Sequence, residues 1–541
     1  MEGKKHYQIN LEKAENKVEQ LMALQDMNGS EDRGPIKSVK DEFTRIGSNV
    51  DALLCFVSLY FNQNSRYFKD QDIYERLILI LNYIENIQRE DGTFDLLTTN
   101  FYSAPDTGFR IHSLVKTYRI AEKFGTNSDH NLIVDKLYGI IKKAGYGMAG
   151  GGFHTPNHRW VISAALMMAY NITEIKEFKD TADKYLAEGI DCNKKGGYTE
   201  KSSGIYNVVN NTAMIMLARE TGSDEYLNYV DRNLVRMFHF MEPDGSIFTE
   251  KSTRQDKGKK VYPTKYYFNY FYMAYRKQNS HYAYLAEEIV DNYYQEFSNC
   301  LAEFMLNPGL KDFTVKSEPV ITNYEKQFQD AGLIRIRRND VSVSLLEEDI
   351  NFLHFQVGKL NCFARMCTSF FGRGQFRAQK ISENSGEYRL SYLARGDYRE
   401  PFDNPPPTAV WEEMDHSRRG IAKELKLKMV VTIKEIKKGI KVKIKTEGCD
   451  RVPLKLEFNF SSPTLIKGDG FTLKGDSAEN ILAKNGNIKV IKGTDIIKLG
   501  PAFGKHNYTS KMRGSVSESS KFTVYFTEFT NIERTLTLKK G

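Results

Sequence analysis

The chain has 541 residues, of which 40% are hydrophobic and 27% charged, and a formal net charge of +8. That is enough chain for two or three domains with a large core, and the composition is that of an ordinary soluble globular protein. The most apolar windows, Ala52 to Phe61 and Val161 to Tyr170, fall short of the roughly twenty residues needed to cross a bilayer, which excludes a membrane-spanning helix. In chain order, the first three hundred or so residues read as helical: apolar side chains recur at helical spacing in Leu11 to Leu24, Leu77 to Ile87, Leu132 to Ile141 and Thr212 to Leu217. Between these stretches a loop theme returns, with glycine shortly before an aromatic residue, in Asp91-Gly92-Thr93-Phe94, Gly151-Gly152-Phe153, Gly196-Gly197-Tyr198 and Asp244-Gly245-Ser246-Ile247-Phe248. Two of these loops are near copies, Tyr198-Thr199-Glu200-Lys201-Ser202 and Phe248-Thr249-Glu250-Lys251-Ser252.

A repeat of about fifty residues is one helix pair plus a loop, and a recurring loop lies at one end of such an array. The expectation is about six helical hairpins closed into a ring, with the aromatic, Asn and charged loop residues converging on one central cleft. From Asn323 the pattern changes to period-two alternation, as in Leu333 to Arg337, Val341 to Leu345 and Leu425 to Met429, with a hairpin at Lys438-Gly439 and a last strand at Thr535 to Leu538. The expected fold class is α+β: an (α/α) toroid over residues 1–322, then an antiparallel β-sandwich over 323–541. Within the second half, Tyr398 to Gly420 reads as a long irregular insertion carrying Trp411, a place where binding residues collect.

The start of the chain lacks the apolar core of a signal peptide. Location therefore stays open between the cytoplasm and, where a leader has been removed, the periplasm or the exterior. Six scattered cysteines without a Cys-x-x-Cys pair read as buried free thiols. The run Lys423 to Lys445 is basic, which suits a polyanion or an ordinary solvated face.

Gly150 to Trp160, Gly-Gly-Gly-Phe-His-Thr-Pro-Asn-His-Arg-Trp, is the most chemically dense stretch. Asn157, His158 and Arg159 sit at the mouth of the apolar helix that follows, where backbone N–H groups favour anions. The spacing of His154 and His158 would suit a metal on a helix, but Pro156 and the glycines argue against a helix there, so neither a metal nor a cofactor is expected. A second cluster, Gly197 to Asn211, contains Tyr198, Glu200, Tyr206, Asn207, Asn210 and Asn211, and the repeat places it beside the first. Tyr206 stands where that loop re-enters a helix; a Tyr and a His at one cleft can pass a proton. No P-loop, dinucleotide fingerprint, nucleophile elbow or His-Glu-x-x-His is present, which leaves nucleotide chemistry and zinc proteolysis without support.

Asn157-His158 at a loop-to-helix junction, a Tyr-Asn about fifty residues later and the α-then-β organisation resemble the heparinase II/III-like polysaccharide lyases. The resemblance implies a lyase acting on a uronic-acid-containing polysaccharide by β-elimination. Asn157 would neutralise the uronate carboxylate, His158 would assist it or act as base, and Tyr206 would carry the proton. Arg159, Trp160, Asp106, Glu200, Asn210, Trp411 and His416 are the expected substrate-binding residues, and the partner is an acidic polysaccharide rather than nucleic acid. His354, in an apolar strand, reads as core. Two other readings stay open: a glycoside hydrolase on the same scaffold, using paired carboxylates among Asp106, Glu200, Asp244 and Glu250, and a non-catalytic carbohydrate-binding protein.

Overall fold

The computed structural model describes residues 1–27, 34–38, 41, 43–126, 128–461, 463–475, 480–516 and 522–541. The chain forms two units, Met1–Phe240 with Ile247–Val320, and Met241–Ser246 with Ile321–Gly541. The hexapeptide Met241–Ser246 falls inside the helical part of the sequence, yet it clusters with the strands. Glu242 accounts for this: its buried carboxylate accepts from Arg335 Nη1 at 2.6 Å and from Ser342 Oγ, both on strands of the second unit. The guanidinium holds that carboxyl well below the ordinary range against the opposing effect of burial.

The first unit carries the helices α1 (Gly3–Leu24), α2 (Ile46–Tyr60) and α3 (Gln71–Ile87), then a short hairpin of β1 (Phe94–Leu96) and β2 (Asn100–Ser103). It continues with α4 (Ala104–Phe124), α5 (Ser128–Gly151), α6 (Pro156–Thr173), α7 (Lys176–Ala187), α8 (Tyr206–Thr221), α9 (Glu225–Phe238), α10 (Tyr267–Lys277), α11 (Ser280–Asn292), α12 (Leu301–Leu306) and α13 (Gly309–Asp312). Local chemistry starts several of them. Asp70 caps α3 by accepting from the Ile73 N–H, Ser103 caps α4 by accepting from the Asp106 N–H, and Pro156 opens α6, where its missing N–H costs nothing.

Even-numbered helices pack in succession, α2 on α4, α4 on α6, α6 on α8 and α8 on α10, and each takes its following odd-numbered helix as a hairpin partner. Helix α6 is apolar on every side and buried from Trp160 to Ala169, as an inner helix requires. The two ends of the unit meet: α1 contacts α12 and α13, the Gly3 N–H donates to the Phe313 carbonyl at 3.0 Å, and Asn10 Nδ2 donates to Tyr267 of α10 at 2.9 Å. Where six consecutive hairpins are expected, five occur among the described residues, and the helices at the two ends of the segment complete the packing.

The second unit contains β3 (Asn323–Phe328), β4 (Leu333–Arg338), β5 (Val341–Leu346), β6 (Leu353–Val357), β7 (Leu360–Thr368), β8 (Lys380–Asn384), β9 (Glu387–Arg399), β10 (Ile421–Ile436), β11 (Gly439–Gly448) and β12 (Pro453–Phe460). It ends with β13 (Leu465–Gly468), β14 (Phe471–Lys474), β15 (Asn480–Leu482), β16 (Ile488–Lys492), β17 (Asp495–Gly500), β18 (Phe522–Phe529) and β19 (Glu533–Lys540). They form two sheets, ordered β14-β13-β16-β17-β19-β11-β10-β9-β8 and β15-β18-β12-β7-β6-β5-β4-β3. Alternation puts Met429, Val431, Ile444 and Leu538 of the first sheet and Leu345, Phe355, Met366 and Phe458 of the second into one hydrophobic core. The β10–β11 hairpin turns through Lys438 at φ +63°, as read from the sequence. One pairing departs from the antiparallel expectation: β15 runs parallel to β18, since no tight hairpin sets its direction. Among the described residues no helix is long and apolar enough to cross a membrane.

Candidate active site

The recurring loops all lead from an odd-numbered helix into the next even-numbered one, so they share one end of the helical unit. Two of their glycines have a common cause. A Cβ on Gly92 would lie 1.9 Å from the Lys143 carbonyl of α5, and one on Gly196 would lie 2.1 Å from the Arg232 carbonyl of α9. Each glycine lets its loop rest on the backbone of the next hairpin. The loop aromatics correct an expectation. Phe94, Tyr198 and Phe248 are buried and pin the loops down instead of lining a cleft; Phe153, 42% exposed, is the exception. Gly150 and Gly151 also differ from the expected loop, since they complete the last turn of α5.

The residues that begin α6 and α8 come together through a carboxylate. Asn157 is fully buried, and its Nδ2 donates to both oxygens of Glu200, at 3.0 and 2.9 Å, and to Thr155 Oγ1 at 3.2 Å. Burial pushes the Glu200 carboxyl up from its ordinary value, while the Asn157 amide and the charge of Arg254, whose Nε lies 3.5 Å away, pull in the other direction. His158 sits one residue further along α6. Burial is the main cause that lowers its pKa to about 4, with the nearby His154 adding to it and Asp106 opposing it, so the ring is neutral at neutral pH. The His154 and His158 rings are in edge contact at 4.7 Å although His154 precedes the helix. Among the described residues no three His, Cys, Asp or Glu side chains gather as a metal-binding group.

Tyr206, half-buried at the first position of α8, accepts from Arg254 Nη2 at 3.4 Å, and the guanidinium lies 4.7 Å from the centre of its ring. Arg254 is the residue that sequence reading passed over. Its signal is the repeat itself, for it follows Phe248-Thr249-Glu250-Lys251-Ser252 in the second copy of the loop at the position that Gly204 holds in the first. A buried carboxylate, Asp256, joins the two copies. Its Oδ1 accepts from Ser202 Oγ at 2.8 Å and Ser252 Oγ at 2.5 Å, and its Oδ2 accepts from the Gly204 N–H at 2.8 Å. Thr253 is tied to the Glu200 carbonyl through both its N–H and its hydroxyl. Arg254 thereby reaches Tyr206 and Glu200 together.

The remaining expected residues divide. Asp106 is brought to His158 and acts on it electrostatically, and its Oδ2 accepts from Ser103 Oγ at 2.6 Å and Asn100 Nδ2 at 2.9 Å. Arg159 is ion-paired with Glu188 at 2.8 Å and lies over the Trp160 ring. Trp160 cannot stack on a sugar, which corrects its expected role: it is 0% exposed and its indole N–H donates to Asp191 at 2.7 Å. Asn210 lies one turn into α8 and is buried. In the strand unit, His416 rests against Trp411 with ring centres 4.0 Å apart, and its two nitrogens face the Trp411 carbonyl at 2.8 Å and Arg419 Nε at 3.2 Å. Trp411 is 62% exposed. His354 is buried and stacked on Phe363, as its core reading requires.

No family model matches the chain, and no curated protein matches it in sequence. Solved structures do match in fold. A Paenibacillus xanthan lyase aligns with TM-score 0.58 and 10% identity over 99% of this chain and 57% of its own, so the chain spans little more than half of that protein. Heparinase III aligns with TM-score 0.53 and 12% identity over 93% of this chain and 78% of its own. A Streptomyces coelicolor chondroitin AC lyase, solved in complex with chondroitin sulphate, aligns with TM-score 0.54 and 10% identity over 98% of this chain and 79% of its own. The fold is therefore one shared with polysaccharide lyases.

Proposed function

We propose that this chain is a polysaccharide lyase that cleaves a uronic-acid-containing polysaccharide by β-elimination, with its helical unit an (α/α) toroid and its strand unit a β-sandwich. The carrying observation is the contact of Arg254 with both Tyr206 and Glu200 at the end of the helical unit where the recurring loops meet. The fold shared with polysaccharide lyases supports the same reading.

In β-elimination the proton on C5 of the uronate leaves, the C4–O bond breaks, and a C4=C5 double bond forms. Negative charge builds on the uronate carboxyl group as the proton departs, so groups that meet that charge lower the barrier most. In this reading Arg254 and the neutral His158 meet it. Tyr206, acting first as the phenolate, takes the C5 proton and then, as the neutral phenol, gives it to the departing glycosidic oxygen, and the guanidinium stabilises the phenolate before the first transfer and after the second. Asn157 is a positioning residue in this reading: its amide is engaged by Glu200, and that carboxylate orients Arg254. Glu200 and Asp106 are each engaged by hydrogen-bond donors of their own surroundings, so the paired-carboxylate hydrolase is not the favoured alternative.

The test is ultraviolet absorbance of the conjugated double bond during incubation with a panel of uronate polymers, for the parent chain and Tyr206→Phe. A rising signal that the variant lacks is the expected result. Release of sugar ends without that signal would replace the lyase with a hydrolase, and no cleavage across a broad panel would leave a binding protein.

A further inference from the structure

The basic run that stands out in the sequence, Lys423 to Lys445, is partly neutralised in the folded chain, where four of its nine lysines are ion-paired. Lys426 pairs with Glu424, Lys434 with Glu387, Lys443 with Glu533 and Lys445 with Glu447. A second set of lysines, drawn from four different strands, is not. In the nine-stranded sheet Lys467 of β13 stands directly opposite Lys489 of β16, Lys489 opposite Lys498 of β17, and Lys498 opposite Lys539 of β19. The neighbours Ile466, Ile488, Val490, Ile497, Leu499 and Leu538 are buried in the core, so the four ammonium groups share the outward face. None of the four has a carboxylate partner among the described residues.

Like charges directly opposite one another weaken a sheet, and at about 4.8 Å per strand this ladder spans about 14 Å. Nothing in the packing of the core calls for it. A small anion would bridge two neighbouring lysines; only an extended polyanion lying across the strands meets all four. Thr472 stands opposite Lys467 and adds a hydroxyl on the same face. The outward positions of these four strands carry no aromatic ring on which a nucleobase would stack. We propose that the ladder Lys467, Lys489, Lys498 and Lys539 is a non-catalytic binding site for a linear acidic polysaccharide, carried by the strand unit.

The experiment compares the full-length chain with the variant in which all four lysines are replaced (K467Q, K489Q, K498Q, K539Q), by equilibrium binding over a salt series. The probes are dextran sulfate, polygalacturonate, neutral dextran and a single-stranded DNA oligonucleotide. Dextran sulfate has no uronate and cannot undergo elimination, so its result stands whether or not the chain proves to be a lyase. The expected outcome is binding of both acidic polysaccharides by the parent chain. The variant should lose about tenfold or more of its affinity for each, with a shallower salt dependence. Its midpoint of unfolding should equal or exceed the parent's, because the replacements relieve repulsion. Unchanged affinity in the variant would overturn the proposal, as would a parent chain that binds neutral dextran equally or binds no acidic polymer. Tighter binding of the oligonucleotide than of dextran sulfate, lost in the same variant, would reassign the ladder to nucleic acid and overturn it as well.

Discussion

The two copies of the repeated loop, Tyr198 to Ser202 and Phe248 to Ser252, begin from nearly the same five residues and serve different ends. In the first copy the tyrosine hydroxyl donates to Asn211, the glutamate receives Asn157, and the position four residues after the serine is Tyr206. In the second copy the ring is a phenylalanine with no such bond, and the position four residues after the serine is Asp256, the carboxylate to which both serines donate. The intermediate position is Gly204 in one copy and Arg254 in the other. The first copy supplies Tyr206, the proposed proton carrier, and the second supplies the guanidinium that touches it. The local sequence sets the shape of the loop, and what packs against it sets the role of each residue.

The sharpest break in this comparison is Tyr206→Phe. Removing the acid–base hydroxyl should slow double-bond formation about a hundred- to ten-thousand-fold while leaving the unfolding midpoint close to that of the parent; a rate within tenfold of the parent would remove Tyr206 from the mechanism. Asp256→Ala attacks the link between the copies. It strips a fully buried acceptor from two hydroxyls and one N–H and should cost about 2–4 kcal/mol in denaturant unfolding.

The paired substitutions Glu200→Ala and Glu250→Ala sharpen the contrast. The first should lower kcat/KM about ten- to a hundredfold, because it frees Asn157 and Arg254, and the second should stay within about threefold. Equal losses would mean that the copies are functionally equivalent. His158, outside both copies, supplies a pH readout. Its folded pKa of about 4 lies below the ordinary imidazole value of 6.5, so the native state binds fewer protons than the unfolded chain. Stability tied to this group should be complete above pH 6.5 and fall as the pH drops toward 4, and chemical denaturation of His158→Gln should lack that contribution. The smallest effects belong to Ser202→Ala and Ser252→Ala, about 1 kcal/mol each, with a double variant that is not additive because the serines share one carboxylate.

The sequence made the helical half, the strand half and the recurring loops that hold the candidate site legible. The turn at Lys438, the buried run of α6 and the starts of α6 and α8 at Pro156 and Tyr206 all follow from local pattern. Trp160 shows where pattern stops. Next to an apolar helix an indole can face in or out, and only the position of Asp191 beneath it decided that it faces in.

What the sequence by itself determined is what depends on neighbours along the chain: helical and alternating periodicity, capping, glycine turns and the fifty-residue repeat. What the tertiary structure decided is partnership between distant residues. Glu200 reaches Asn157 across 43 positions, Arg254 reaches Tyr206 across 48, and Glu242 leaves the helical segment for Arg335. The basic run that reads as a charged patch has four of its nine lysines paired with carboxylates, whereas four lysines scattered between positions 467 and 539 line up because strand register places them opposite one another. The physical reason is the same in each case. A side chain's own chemistry is written in the sequence, but the field around it and the donors that reach it come from whichever elements the fold brings alongside.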